Sequence, residues 1–448
     1  MDAAPPPIAP PAIVREAPDL APAGRGGLLL PKGWLSTKGS QIVDEAGRPM
    51  RIASIGWNGT EGPPGAAPSG LWKVSYKTVM DSIVAAGFNT VRIPWNDISL
   101  HTRLDGYTDR LGWINTTLNP ELIADPTPDA RGRYKYVTVL VAFQRIVDYA
   151  GEIGLKVIFD HHTNEGTAGQ QRNGLWFDLG PGTDHTDGIV PGRVTADDFK
   201  QHWLEVARTF AGNPTVIGYD LHNEPKGDRG HITWGDGGPR DVKQMCENVG
   251  SAIQDVEPRV LIICEGPETY RPPPASSGMD PRYAAPAGNL TAAGANPVRL
   301  KLPNKLVYSV HEYPEEIADT MKWGIPETGK GFVDRMNATW GYLVRDNIAP
   351  VWIGEMGTSL RTEVQRDWAR TLLDYMNGKY AAEGGPGFSG DQQGVSGSWW
   401  LIGLSNDPPF GLQTDWGVGN YRPDQIAITD QMLMRAKAVR FQRPSGST

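Results

Sequence analysis

Two glutamates, Glu224 and Glu355, each close a short apolar run, in VIGYDLHNEP and PVWIGEMG respectively. A carboxyl pair is the equipment for general acid–base and nucleophilic chemistry. Four other apolar runs also end on polar or aromatic residues. Arg92 ends NTVRIP, while Asp160, His161 and His162 end KVIFDHH; His311 and Tyr313 end LVYSVHEY, and Trp399 and Trp400 lie in GSWWLI. His222 and Asn223 lie directly before Glu224. One such ending is commonplace, but several on one face of a fold describe an active site.

The bond that two carboxyls are best suited to break is a glycosidic one. It requires a proton on the leaving oxygen and a carboxylate that attacks or supports the oxocarbenium-like carbon. Glu224 is expected to be the acid, raised by partial burial, and Glu355 the anion, stabilised by Arg92 and Tyr313. Asn223 is placed to bind a sugar 2-hydroxyl. Fifteen Trp outnumber both Tyr and Phe, and their broad apolar faces suit stacking on sugar rings, although most are expected in the core. Trp57, at a strand end, and Trp176, in a long loop, are assigned to the cleft; Trp72, Trp95 and Trp234 fit core and platform equally. His161 reads as a packing or loop-anchoring residue and His222 as one that orients Asn223.

Other chemistries lack their residues. HExxH is absent and adjacent His161 and His162 cannot form the facial ligand set of a hydrolytic zinc, so no metal or other cofactor is expected. The G-x-S-x-G elbow and the P-loop are also missing.

The elements needed to gather these ends are legible. Strands are predicted at Arg51–Ile55, Thr90–Pro94, Lys156–Asp160, Val216–Leu221, Val260–Cys264, Leu306–Val310, Val351–Ile353 and Gly397–Leu401. Helical patterns lie between them, at Val74–Ala86, Tyr136–Ile153, Ala196–Ala211, Pro239–Val256, Gly331–Arg345 and Glu363–Asn377. The stretch Pro272–Pro303 is too rich in Pro, Gly and Ala for a helix. Eight strands with mostly helical crossovers predict an α/β fold, a (β/α)₈ TIM barrel. An open doubly wound sheet is the alternative, but no G-x-G-x-x-G follows the first strand. Long loops at Trp95–Arg133, Thr163–Thr195, Lys226–Gly238 and Gly403–Asn420 would enlarge the C-terminal face of the barrel, where strands four and seven set Glu224 and Glu355 across the mouth.

Residues 1–26 form a Pro/Ala-rich tail or linker, with seven Pro and seven Ala in the first 24 residues, and 27–442 a single catalytic domain. The formal charge of −8, without charge blocks, argues against nucleic-acid or anionic-membrane partners, and no apolar run is long enough to span a bilayer. No signal peptide is recognisable. Cys246 and Cys264 allow at most one disulfide and leave the redox compartment open; Cys264, inside VLIIC, reads as a buried strand residue.

These boxes resemble glycoside hydrolase family 5, the cellulase family, and most closely its bacterial endo-β-1,4-glucanases. The resemblance spans roughly Trp34 to Trp416 and is carried by QIVDEAGRPMRIASIGW, SGLW at Ser69–Trp72, NTVRIP, YAGEIGLKVIFDHH, GNPTVIGYDLHNEP, ICEGPETY, LVYSVHEY, NIAPVWIGEMGT and the SWW strand. It implies a retaining hydrolase of β-glucan polysaccharide or oligosaccharide, with Glu224 as acid/base and Glu355 as nucleophile; the chain is expected to be secreted and monomeric. It also implies supporting roles for Arg92, His162, Asn223, His311 and Tyr313, and an aromatic platform at Trp399. The last strand departs from the family pattern: WWLIGLSNDPPFG replaces the usual Trp-x-x-Asn and its following loop. That departure, with the Lys226–Gly238 insertion carrying Trp234, leaves mannan, mixed-linkage glucan, an oligosaccharide or exo action as alternatives. A non-catalytic carbohydrate-binding barrel is the alternative outside enzymes.

Overall fold

The computed structural model describes residues 28–104, 114–166, 174–180, 190, 192–226, 232–285, 288–318, 324–404 and 410–434. The tail at 1–26 and the end of the 27–442 domain lie outside the described residues, as do parts of all four long loops.

Eight parallel strands close into a barrel in chain order: β1 (Ala53–Gly56), β2 (Thr90–Asn96), β3 (Lys156–Thr163), β4 (Val216–Asp220), β5 (Leu261–Glu265), β6 (Leu306–Glu312), β7 (Val351–Met356) and β8 (Ser396–Trp399). β8 pairs with β1 to complete it, Trp399 lying opposite Ile55. Every strand residue is buried. Strands covered on both faces must read as near-continuous apolar runs, and these do until their C-terminal ends.

The helices that carry the crossovers are α1 (Tyr76–Ala85), α2 (Val139–Ile153), α3 (Ala196–Thr209), α4 (Val242–Val256), α5 (Gly329–Met336), α6 (Tyr342–Arg345) and α7 (Glu363–Met376); two short helices, Glu315–Ala318 and Pro423–Thr429, lie beside them. Capping chemistry sets their limits. α3 starts on a reciprocal box between Thr195 and Asp198, and α7 on one between Thr362 and Gln365. α2 stops at Gly154, whose φ of 77° a side chain would disfavour. The single helix predicted over Gly331–Arg345 is α5 and α6 joined through a wide turn at Asn337–Gly341. Within Pro272–Pro303 the described residues hold only short 3₁₀ turns, so the fifth crossover has no α-helix there.

Two apolar clusters result. The larger fills the layer between strands and helices. The smaller gathers Ile158, Ile217, Leu261, Ile263, Val307 and Trp352 with Leu35 and Ile42. Ile42 belongs to a small antiparallel sheet, Ser36–Lys38, Gln41–Val43 and Pro49–Met50, and Leu35 directly precedes its first strand; the sequence pattern does not predict this sheet. Strands of two or three residues are too short to display a period of two.

Cys246 on α4 and Cys264 on β5 form a disulfide that closes a sequence separation of 18 residues, and both are wholly buried. Constraining an unfolded loop of that size contributes about 3 kcal/mol. The Cys246→Ala/Cys264→Ala double variant should therefore unfold in urea about 3 kcal/mol more easily than wild type. A difference below about 1 kcal/mol would show that the bond adds little to this fold.

Candidate active site

The barrel brings seven of the expected residues into one cluster around Arg92. This guanidinium is fully buried on β2 and spends its donors in four directions. Nε donates to Asp220 Oδ2 at 3.0 Å, and one terminal nitrogen to Glu355 Oε1 at 2.5 Å. The other terminal nitrogen donates to Asn223 Oδ1 at 2.9 Å and pairs with Asp160 Oδ1 at 3.0 Å. A planar fork with fixed donor directions can hold such a cluster; an ammonium could not. Burial pulls the Arg92 pKa down, but Asp160, Asp220 and Glu355 raise it well above its ordinary value.

Glu355, on β7, has both oxygens engaged: Arg92 holds Oε1, and Tyr313 donates its hydroxyl to Oε2 at 2.8 Å. Burial, reinforced by that anion, raises the Tyr313 phenol well above its usual range, so it remains a donor. His162 lies at the end of β3 with Nδ1 2.7 Å from Asp160 Oδ2. Burial opposes its charge, but Asp160 overrides burial and lifts the imidazole to about 9.

Glu224 follows β4 in an unusual backbone conformation, with φ at 46°. Only glycine adopts that region freely, so a glutamate there is held by its surroundings. Its Oε1 is 3.0 Å from His311 Nδ1, and His311 Nδ1 is 3.8 Å from Glu355 Oε2. The expectation that burial raises this acid needs correcting. Burial does push it up, but the hydrogen bond and charge of His311 outweigh that and hold it down at about 2. A general acid must carry a proton, so the state of His311 decides whether Glu224 can serve as one.

Facing atoms of Glu224, His311 and Glu355 lie within 4.8 Å of one another. Three such ligands could in principle hold a cation. The Arg92 charge, 2.5 Å from Glu355, opposes one. Asn223 gives its oxygen to Arg92 and leaves its buried Nδ2 without a hydrogen-bond partner among the described residues. An amide N–H in that position is suited to meet a ligand hydroxyl.

The aromatic assignments fare differently. Trp399 is wholly buried and donates to the Phe410 carbonyl at 3.3 Å, so it offers no face to a ligand. Trp57 is equally buried, its indole N–H tied to the Ser69 carbonyl at 2.9 Å. Trp176 is buried edge-on against His222. All three are packing residues in this structure. The half-buried indole at the site is Trp400, one residue later, stacked at 12° on His162 with centroids 5.8 Å apart. A Cβ on Gly56 would come within 2.2 Å of this ring, so glycine at the end of β1 is what lets the indole lie there. His161 bridges Asp97, at 2.7 Å, and His222, at 3.0 Å, which is an anchoring arrangement.

Asp220 and Glu265 were not singled out from the sequence. Burial raises Asp220 to about 6 although Arg92 opposes this. Both occupy the last position of a barrel strand, the signal that singled out their neighbours.

A closed (β/α)₈ barrel with two carboxyls this close at its C-terminal rim, one held by Arg and Tyr, defines a glycoside hydrolase. The family model for cellulase, glycosyl hydrolase family 5, matches residues 43–403, and the chain belongs to that family. An endoglucanase of Paenibacillus polymyxa is 30% identical over 327 residues, covering 73% of this chain and 72% of that protein. Endoglucanase G of Acetivibrio thermocellus is 28% identical over 379 residues, covering 77% of this chain but only 63% of its own length. Among solved structures, an endocellulase variant from Pyrococcus horikoshii in complex with cellotetraose is 25% identical, with a TM-score of 0.68; the match covers 91% of this chain and 100% of that one.

Proposed function

We propose that the enzyme cleaves β-1,4-glucan internally and with retention of configuration. Glu355 attacks the anomeric carbon while Glu224 protonates the leaving oxygen; Glu224 then takes a proton from the water that releases the glycosyl-enzyme. The observation that carries this reading is that an oxygen of Glu224 and an oxygen of Glu355 lie within 4.8 Å of each other. Retaining enzymes set them about 5–5.5 Å apart, whereas inverting ones leave about 6.5–9.5 Å for a water. Arg92 and Tyr313 hold the two oxygens of the attacking carboxylate in place, Asn223 Nδ2 binds the 2-hydroxyl, and Trp400 supplies the sugar platform. The β-1,4-glucan preference is supported by relatives named endoglucanase and by a neighbour complexed with cellotetraose.

An extracellular setting fits the disulfide, which persists in oxidising compartments, and a relative named major extracellular endoglucanase from Xanthomonas campestris. No helix among the described residues is long and apolar enough to cross a membrane.

The test combines product stereochemistry with a substrate panel. Proton NMR of cello-oligosaccharide hydrolysis should show the β-anomer released first, and carboxymethylcellulose should lose viscosity well before reducing ends accumulate. The α-anomer appearing first would overturn retention. Faster turnover of mannan or lichenan, or release from chain ends only, would overturn the polymer or the mode of attack.

A further inference from the structure

Glu265, the last residue of β5, is buried, and the proposed mechanism gives it no task. It nevertheless reaches Glu224 by two routes. Its Oε2 accepts the Glu224 backbone N–H at 3.0 Å, fixing the residue whose φ is positive. The same oxygen lies 3.4 Å from Nε2 of His311, whose Nδ1 meets the Glu224 carboxyl at 3.0 Å. His311 Nε2 and Glu265 Oε1 have no hydrogen-bond partner among the described residues. A single proton between Nε2 and Oε2 is therefore the missing element, and the question is which atom owns it.

We propose that Glu265 is a positioning residue that works as a carboxylic acid: its Oε2 hydroxyl donates to His311 Nε2 while the same oxygen accepts the Glu224 N–H, fixing His311 as the neutral Nδ1–H tautomer. The inference rests on the reading of Glu224 as the acid/base. Burial, together with the charges of Asp220 and Glu224, holds the Glu265 carboxyl well above the usual carboxylate range, in keeping with the protonated form. A neutral His311 removes the charge that drives Glu224 down, and so lets Glu224 hold a proton. When Glu224 gives that proton to the leaving oxygen, the new carboxylate is met by Nδ1–H. No proton leaves His311 or Glu265, and the attacking water later restores the one on Glu224.

The chemistry of one oxygen makes this testable. A hydroxyl oxygen can accept from Glu224 N–H and donate to Nε2 at once; no atom of an amide can do both. In Glu265→Gln, the amide oxygen can keep the Glu224 N–H only if His311 switches to the Nε2–H tautomer. Nδ1 then becomes an acceptor and draws the Glu224 proton away from the glycosidic oxygen. A carboxylate at 265 would instead accept from both partners, and glutamine would replace it without loss.

Wild type, Glu265→Gln and Glu224→Gln should be compared on cellotetraose and on dinitrophenyl β-cellobioside, whose leaving group needs no proton. For Glu265→Gln we expect kcat/KM to fall about 10²–10³-fold on cellotetraose and less than about threefold on the activated glycoside. Selective ¹⁵N-histidine spectra should show His311 protonated at Nδ1 in wild type and at Nε2 in the variant. Unchanged cellotetraose turnover, equal losses on both substrates, or an Nε2–H or imidazolium His311 in wild type would overturn the proposal. Glu224→Gln separates the two levels. If it too shows no dependence on the leaving group, the acid assignment fails; if it shows the dependence and Glu265→Gln does not, only the role of Glu265 fails.

Discussion

Replacing Glu355 by glutamine is expected to lower turnover of cello-oligosaccharides by about four orders of magnitude or more, with the fold intact. The amide is isosteric and can still accept from Arg92 through its oxygen, while the Tyr313 hydroxyl can turn to accept from its NH₂. Arg92 keeps Asp160 and Asp220 as counter-charges, so no uncompensated cation is left in the barrel. What disappears is the negative charge and lone pair that would form the bond to the anomeric carbon. The loss should therefore be equally deep on dinitrophenyl β-cellobioside, because an activated leaving group does not replace a nucleophile. Steady-state kinetics on both substrates checks this, and residual activity above about 1% of wild type would sink the assignment.

The second large effect is on stability as well as rate. Arg92→Leu leaves Asp160, Asp220 and Glu355 buried around an apolar side chain. Breaking a buried charge cluster from one side typically costs about 3–5 kcal/mol, because the abandoned charges remain desolvated. The deficit should depend on pH. Without the cation that lowers them, burial drives the folded-state pKa values of Asp160 and Asp220 up, so the native state binds more protons and its stability, relative to wild type, falls as pH rises through that range. Arg92→Leu should therefore be closest to wild type in acid and furthest from it near neutrality. Urea unfolding at several pH values reads this directly; a deficit below about 1 kcal/mol at pH 7, or one independent of pH, would contradict the hub role.

Much of this site was visible in the sequence because a parallel barrel forces it to be. Every strand is buried on both faces, so each must be an apolar run, and the polar residues that interrupt the runs are those at the C-terminal rim. Arg92, His162, Asn223, Glu224, His311, Tyr313 and Glu355 could be picked out that way, and the structure gathers them. The aromatic residues could not, since a tryptophan face serves a core and a sugar equally well. Trp399 and Trp400 differ only in which side of β8 they leave from, and that depends on where pairing with β1 ends. Glu265 carried the same strand-end signal as its neighbours. Its task lies in a contact with His311, 46 residues later, and a run of letters does not display such a contact. The pull of His311 on Glu224 is hidden for the same reason: burial can be anticipated from a strand end, but the imidazole beside it cannot.

The backbone of Glu224 has a further consequence, for selection. Holding a non-glycine residue at positive φ typically costs about 1–3 kcal/mol, and glycine would relieve it. A lineage that used this barrel only to grip sugar chains would gain stability by drifting to glycine at 224 and would lose nothing it needed. Glutamate in that strained position is thus a standing cost in stability, one that the proposed acid/base role would repay and sugar binding alone would not.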